Sequence, residues 1–302
     1  MNFVVIGSIN TDLVINTDRM PKIGETISGS GFSTNCGGKG ANQAVAAAKL
    51  GSNVTFIGAV GRDANGDIAI DNFKASGINT DHIERSETNT GVAVITVCNG
   101  DNSIILDSGA NGLVTKEVID KNMDVILSAD AIIMQLEIPM DTVIYAAKKA
   151  HQAGVKVVLN PAPVTDLPEE LLNNTDVIIL NETETEYITQ IYPDTDENRK
   201  KCMDILSELG IGLVIITLGS DGSIYNHGDE IKHQKAFKTT VVDTTAAGDT
   251  FIGAFCMNMN GELDYAVKYA TAASAITVSR PGASGSIPTS MEVEKFLNDL
   301  NS

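Results

Sequence analysis

Tryptophan is absent, and 8 Phe with 6 Tyr are all the aromatic side chains that 302 residues carry, so surfaces on which bases could stack are sparse. Positive charge is scarce too. Lys and Arg number 21 against 39 Asp and Glu, a formal net charge of −18, and a molecule of that sign repels polyanions. Nucleic acid and anionic membrane are thereby excluded as electrostatically held partners. The cysteines are few, and Cys36, Cys98, Cys202 and Cys256 show no CxxC spacing. This argues against a zinc site and a disulfide framework, and for reduced thiols in a reducing compartment. The histidines, His82, His151, His227 and His233, fall in no metal-like or triad-like spacing. No GxSxG elbow occurs, and no GxGxxG follows the first apolar run, which removes the simplest hydrolase and dehydrogenase readings. The opening MNFVVIGSIN lacks a basic n-region and a cleavage site, and no apolar run is long enough to span a bilayer. A cytoplasmic location is the expectation.

What is present reads as one large domain over residues 1–302 with a small appendage: 43% hydrophobic and 20% charged residues describe an ordinary globular chain. Short apolar runs alternate with helical patterns. Phe3–Ile6, Val54–Ile57, Ala131–Met134, Val155–Leu159, Val177–Leu180 and Leu213–Thr217 read as strands; Ala41–Leu50, Asp67–Ser76, Thr142–Ala153, Arg199–Leu209 and Thr250–Met259 read as helices. Strands buried on both faces are continuously apolar, as VVLN, VIIL and LVIIT are, so the expected class is α/β: three layers, with a mainly parallel sheet flanked by helices. Two segments break the pattern. Asp12–Asn16 alternates polar and apolar residues, and Val92–Asp107 reads as a hairpin turning at Asn99–Gly100–Asp101–Asn102. Half-buried antiparallel strands do not fit a parallel core. These segments, about 11–36 and 90–108, are therefore expected to form a small projecting β-sheet, a lid beside the strand C-termini.

Four clusters carry chemistry. Cys36-Gly37-Gly38-Lys39-Gly40-Ala41-Asn42 leads directly into a helix; glycines let backbone approach a ligand and a helix start offers unpaired N–H donors, although such a run is also an ordinary turn. Asp243-Thr244-Thr245-Ala246-Ala247-Gly248-Asp249 again enters a helix. Its small residues leave the Ala246, Ala247 and Gly248 amides able to form an anion hole, and Asp249 beside them able to accept a proton. The alternative is that Asp249 merely caps the helix. Asn181-Glu182-Thr183-Glu184 follows the strand VIIL, where open α/β sheets bind ligands; Asn181 and Glu184 are spaced either to approach hydrated Mg²⁺ or to cap a helix. Thr217-Leu218-Gly219-Ser220-Asp221-Gly222 follows another buried strand and turns into a hairpin.

Taken together, GGKGANQAVAAAKLGSNVTFIGAVG (37–61) and DTTAAGDTF (243–251) resemble the N- and C-terminal signatures of the ribokinase family of sugar and nucleoside kinases. Gly7 to Asp12, Gln135-Leu136-Glu137, Asn160 to Pro163 and Ser286-Ile287-Pro288 recur in the family's order, so the likeness spans the chain. The resemblance implies the ribokinase-like fold and transfer of the γ-phosphoryl group of ATP to the 5-hydroxyl of D-ribose, giving ribose 5-phosphate and ADP. Asn10, Asp12, Gly37, Gly38, Lys39, Asn42 and Glu137 would bind the sugar, with Asp249 as general base and the Ala246, Ala247 and Gly248 amides as anion hole. Asn181, Glu184, Thr217, Gly219, Ser220, Gly222, Gly248 and Thr271 would meet ATP, with Glu184 helping to keep Mg²⁺ in place. Asp243, Thr245, Thr277, Arg280, Gly282 and Ser286 would form a K⁺ loop. Alternatives within the fold are kinases of deoxyribose, fructose or pseudouridine; from another class, a sugar sensor that has lost its chemistry. An apolar lid face with an edge suggests a homodimer through the lid sheets.

Overall fold

In the computed structural model, residues 1–98, 101–228 and 230–300 are described. The strands are, in chain order, β1 (Asn2–Ile6), β2 (Asn10–Thr17), β3 (Ser30–Gly37), β4 (Asn53–Gly61), β5 (Ile83–Ser86), β6 (Gly91–Cys98), β7 (Asp101–Asp107), β8 (Ala131–Met134), β9 (Lys156–Leu159), β10 (Val177–Leu180), β11 (Leu213–Thr217), β12 (Ser223–His227) and β13 (Glu230–Gln234). The helices are α1 (Lys39–Lys49), α2 (Ala64–Ala75), α3 (Lys116–Lys121), α4 (Met123–Leu127), α5 (Met140–Gln152), α6 (Glu169–Leu172), α7 (Glu182–Thr189), α8 (Asp196–Glu208), α9 (Ala247–Asn258), α10 (Leu263–Val278) and α11 (Ser290–Asp299).

Among the described residues the large sheet runs β13-β12-β11-β10-β9-β8-β1-β4-β5. It is parallel from β11 to β5, and β12 and β13 add an antiparallel edge. Alternate strand residues feed two cores. Phe3 and Val5 pack with α1, α2, α9, α10 and α11 on one face; Val4 and Ile6 pack with α3, α4, α5, α6 and α8 on the other. These are the three layers that unbroken apolar runs require.

The lid is a separate sheet in the order β3-β2-β6-β7. Its β2–β3 and β6–β7 pairs are antiparallel, but β2 and β6 pair in parallel, with Asn10 opposite Gly91. This corrects the expectation of antiparallel pairing throughout. The cause is topological: β2 follows β1 and β6 follows β5, both parallel members of the large sheet, so both chains leave the body in the same direction. The expected turn residues Asn99 and Gly100 lie outside the described residues.

Helix α9 lies directly on α1. A Cβ at Gly253 would stand 2.6 Å from Ala46 Cβ, 2.7 Å from Ala47 N and 3.0 Å from Gln43 O. Alanine is the better helix former by about 1 kcal/mol, yet two of these neighbours are main-chain atoms that no rotamer change moves. Overpacking of this kind costs about 1–3 kcal/mol, so Gly253→Ala is expected to lower the stability measured by denaturant titration. A variant as stable as the parent would show that the two helices part cheaply.

Candidate active site

The N-terminus of α1 is built by two glycines. Gly38 has φ 95°, a left-handed value that glycine adopts without steric cost, and a Cβ there would lie 2.9 Å from both Asn10 N and Ser8 O. A Cβ at Gly37 would lie 2.1–2.3 Å from the Asp12 carboxylate. The bare backbone thus lets β2, with Asn10 and Asp12, close against the start of α1, with Lys39 and Asn42. Glu137, after β8, ties the corner: its Oε2 accepts from Ser8 Oγ (2.5 Å) and from Lys39 N–H (3.0 Å).

Asp249 enters this corner from α9. Its Oδ2 accepts from Asn42 Nδ2 (3.1 Å) and its Oδ1 from Gln43 Nε2 (3.0 Å). Gln43 Nε2 also donates to Asn160 Oδ1 (3.2 Å), while Gln43 Oε1 accepts from Gln135 Nε2 (2.5 Å). The capping alternative for Asp249 is therefore not what the structure shows. The N-cap of α9 is Ala246, with φ 61° and no side-chain cap bond, and the Asp249 carboxylate faces α1. Of the three amides expected to form an anion hole, that of Ala247 donates to Thr244 O (3.2 Å). Those of Ala246 and Gly248 make no hydrogen bond among the described residues, as the first turn of a helix leaves them.

The carboxylates crowd. Burial, with Glu137 and Asp249 close by, pushes the Asp12 carboxyl up to about 6. Burial works against the Lys39 ammonium, but Asp249, Glu137 and Glu184 outweigh it and raise its hold on the proton. Lys39 is thus the positive centre of three acids, Asp249, Glu137 and Glu184. Beside Glu137 opens a cavity of about 260 Å³ lined by Asn111, Glu137 and Pro139 from the body and by Asn10 of β2 and Leu106 and Asp107 of β7 from the lid sheet. The lid is part of the wall.

Of the two readings offered for Asn181 and Glu184, the cap is the one the structure displays. They form a capping box on α7, with Glu184 N–H donating to Asn181 Oδ1 (2.8 Å) and Asn181 N–H to Glu184 Oε2 (2.9 Å). Yet Glu184 is buried, which raises its carboxyl against the lowering effect of the Asn181 amide and Lys39, and Asp249 raises it further, so it belongs to the same electrostatic centre. Gly219 (φ 51°) and Gly222 (φ 97°) shape the turn after β11, Ser220 is exposed, and Thr217 Oγ1 donates to Leu180 O (3.3 Å). Thr271, expected to meet the nucleotide, is 6% exposed, and its hydroxyl donates to Val267 O within α10 (2.8 Å).

The loop residues expected around K⁺ lie together beside α9. Asp243 Oδ1 accepts from Thr245 N–H (2.9 Å) and Oγ1 (2.6 Å), and its Oδ2 from Gly282 N–H (2.9 Å). Burial would raise the Asp243 carboxyl, but these donors hold it below the ordinary value. Three of the side chains are otherwise engaged: Thr277 with Thr250 and Ala273, Arg280 with Glu292, Ser286 with Ala283. The carbonyls of Thr245, Arg280 and Gly282 accept no hydrogen bond among the described residues, which suits a hard cation bound through backbone oxygens.

Ser8, Gln43 and Asn111 were not anticipated as site residues. Ser8 and Gln43 sit inside motifs read for their neighbours. Asn111 follows the lid in a stretch with no periodicity to mark it.

A mainly parallel sheet, a carboxylate at the start of a small-residue helix and a lidded cavity at the strand C-termini define an α/β small-molecule kinase. The chain belongs to the pfkB family of carbohydrate kinases, whose family model matches residues 2–290. It is 42% identical to a ribokinase of Haemophilus influenzae over 297 residues, 97% of each chain. It is 37% identical to a deoxyribokinase of Salmonella typhi, covering 99% of each. Among solved structures it is similar to the Arabidopsis thaliana ribokinase complexed with ribose and ATP, with TM-score 0.90, 35% identity and 98% of each chain covered. The fold is ribokinase-like and the protein is a sugar kinase.

Proposed function

We propose that this kinase phosphorylates D-ribose at its 5-hydroxyl with ATP. The observation that carries the reading is the convergence of Asp249 with Asn10, Asp12, Lys39, Asn42 and Glu137 at one corner, in a chain so similar to ribokinases. Alternating acceptors and donors suit a polyol, because a site built for hydroxyls rejects ligands that leave its polar groups unpaired. Asp249 takes the hydroxyl proton as the sugar oxygen bonds to the γ-phosphorus and the bond to the β-phosphate oxygen breaks, and the helix-start amides meet the negative charge of the transferring group. The turns carrying Asn181, Thr217, Gly219, Ser220 and Gly222 hold the nucleotide, and closure of β6 and β7 excludes water. Glu184, a buried carboxylate in the same electrostatic centre as Lys39 and Asp249, fits a water-mediated hold on Mg²⁺, and the Asp243 and 280–286 loops fit K⁺. Such cations supply positive charge beside the phosphates.

The test is ADP release with MgATP against ribose, deoxyribose, fructose and a nucleoside, each with K⁺ and with Na⁺. Ribose-dependent release that rises with K⁺ is expected. The deoxyribokinase relative supports a second reading, phosphorylation of deoxyribose, which a higher kcat/KM for deoxyribose would establish in place of the first. ATP-independent sugar binding with silence across the panel would leave only a sensor.

The lid exposes Phe32, Val94, Ile104, Ile105 and Leu106, and β7 is an edge strand. This supports a homodimer through the lid sheets. Light scattering is expected to give twice the chain mass at micromolar concentration; a monomer mass would end that part of the reading. The cytoplasm is the proposed compartment, supported by Cys36, Cys202 and Cys256 standing outside any disulfide.

A further inference from the structure

We propose that Asn111 is a positioning residue that fixes which end of the Asn10 carboxamide faces the substrate, making Asn10 a hydrogen-bond donor to an oxygen lone pair there. The proposal rests on the reading of the cavity as the sugar site.

The two ends of a carboxamide are alike in size and differ only in donating or accepting, so partners decide its direction. A main-chain N–H can only donate. That of Ile9 donates to Asn111 Oδ1 at 2.9 Å, which identifies this end of Asn111 as its oxygen. The other end is therefore Nδ2, and its hydrogens go to Ile9 O (3.1 Å) and Asn10 Oδ1 (2.7 Å). Asn10 Oδ1 is thus occupied, and the Asn10 Nδ2 group is the end left for the cavity that both residues line. The direction is transmitted from an unambiguous backbone donor through two buried amides, Asn111 at 1% and Asn10 at 5% exposure.

Gly91 supplies an independent sign that the Asn10–Asn111 bond is built in. It faces Asn10 across the parallel β2–β6 pair, and a Cβ on it would lie 2.3 Å from both Asn10 Oδ1 and Asn111 Nδ2. The bond fills the space a side chain would need.

The consequence is a donor among acceptors. Asp107 and Glu137 line the same cavity, and Asp12 follows Asn10 by two residues, on the same face of β2. A hydroxyl can give its proton to a carboxylate and receive one from Asn10, whereas a reversed Asn10 would meet the same oxygen with a lone pair. Asn111, with no place in the chemistry, would then decide which substrate oxygens are accepted.

The experiment is a double-mutant cycle on the full-length chain, with D-ribose varied at saturating ATP. Aspartate at 111 can still accept from Ile9 but cannot donate, so Asn10 must turn its Nδ2 inward. Asn111→Asp is expected to raise the ribose KM about 10-fold or more, the loss of a hydrogen bond of about 1.4 kcal/mol, with the ATP KM unmoved. In the Asn10→Ala background the same substitution is expected to do nothing further. An equal KM rise in both backgrounds would overturn the proposal, since Asn111 would then be acting through the fold. If Asn10→Ala itself leaves the ribose KM unchanged, the sugar-site reading fails, and the lock with it. Gly91→Ala, which leaves both amides chemically intact but drives a methyl to 2.3 Å from Asn10 Oδ1 and Asn111 Nδ2, is expected to raise the ribose KM through Asn10 alone. Should Asn111→Asp fail to fold, this variant in the same cycle decides.

Discussion

Replacing Asp249 with asparagine is expected to cut kcat by roughly 10²–10⁴-fold, the usual worth of a positioned general base, while sugar binding stays measurable by calorimetry. The geometry argues for both halves. Asp249 is held by two donors on α1, Asn42 Nδ2 and Gln43 Nε2, so an asparagine must turn its own NH₂ toward one of them. Gln43 cannot yield, because its Oε1 is already committed to Gln135 Nε2. Asn42 has no such anchor on its Oδ1, and the rearrangement falls there. The α1–α9 packing at Gly253 and the Ser8–Glu137–Lys39 corner are untouched by the change, so the cavity survives and only the proton acceptor is lost. A kcat within about tenfold of the parent, a difference of about 1.4 kcal/mol in barrier, would show that Asp249 is not the base.

The parts of the molecule that could be read in advance are those in which a single strand reports its own environment. Ala131–Met134, Val177–Leu180 and Leu213–Thr217 are strands at the expected residues, because burial on both faces leaves an apolar run, broken only by Thr217 at the end of the last. β3, with the sequence SGFSTNCG, carries no such mark. It is largely exposed and rich in glycine and serine, and only its partner β2 makes it a strand. The parallel β2–β6 pair was hidden for the same reason: it follows from where two body strands end. At the site, glycine runs before helices marked α1 and α9 because close backbone approach needs glycine or small residues. The amides of Gln43, Gln135 and Asn111 were not marked. A buried carboxamide has no periodicity, and its role exists only once residues about a hundred positions away, as in Ile9 with Asn111 or Gln43 with Gln135, are brought into contact. For Asn181 and Glu184 the sequence offers a cap and a metal-facing reading, and the structure displays the cap.

Asp12 makes the conflict between stability and binding measurable. Burial, Glu137 and Asp249 raise its carboxyl from the ordinary 3.8 to about 6, so the folded protein holds this proton more tightly than the unfolded chain does. Stability from that preference is complete below about pH 3.8 and is lost as the pH rises through about 6. Above pH 6 the folded state carries an unfavourable negative charge in a half-buried corner. Asp12→Asn removes the charge without changing the shape, and is expected to stabilise the protein at pH 7.5 by on the order of 1–3 kcal/mol. The gain should shrink as the pH is lowered through 6 toward 4, where the parent becomes neutral too. The same substitution turns a full acceptor into a half donor beside Asn10, so the ribose KM is expected to rise about 10-fold or more. In the parent, ribose kcat/KM should fall as the pH drops below about 6, because that ratio reports groups on the free enzyme. Denaturant titrations of both proteins at pH 7.5 and 5, set beside the ribose KM, separate the two effects. An Asp12→Asn variant less stable than the parent at pH 7.5 would mean that the ionised carboxylate is compensated within the fold. A more stable variant that binds ribose poorly would mean that the fold tolerates this charge for the sake of the substrate.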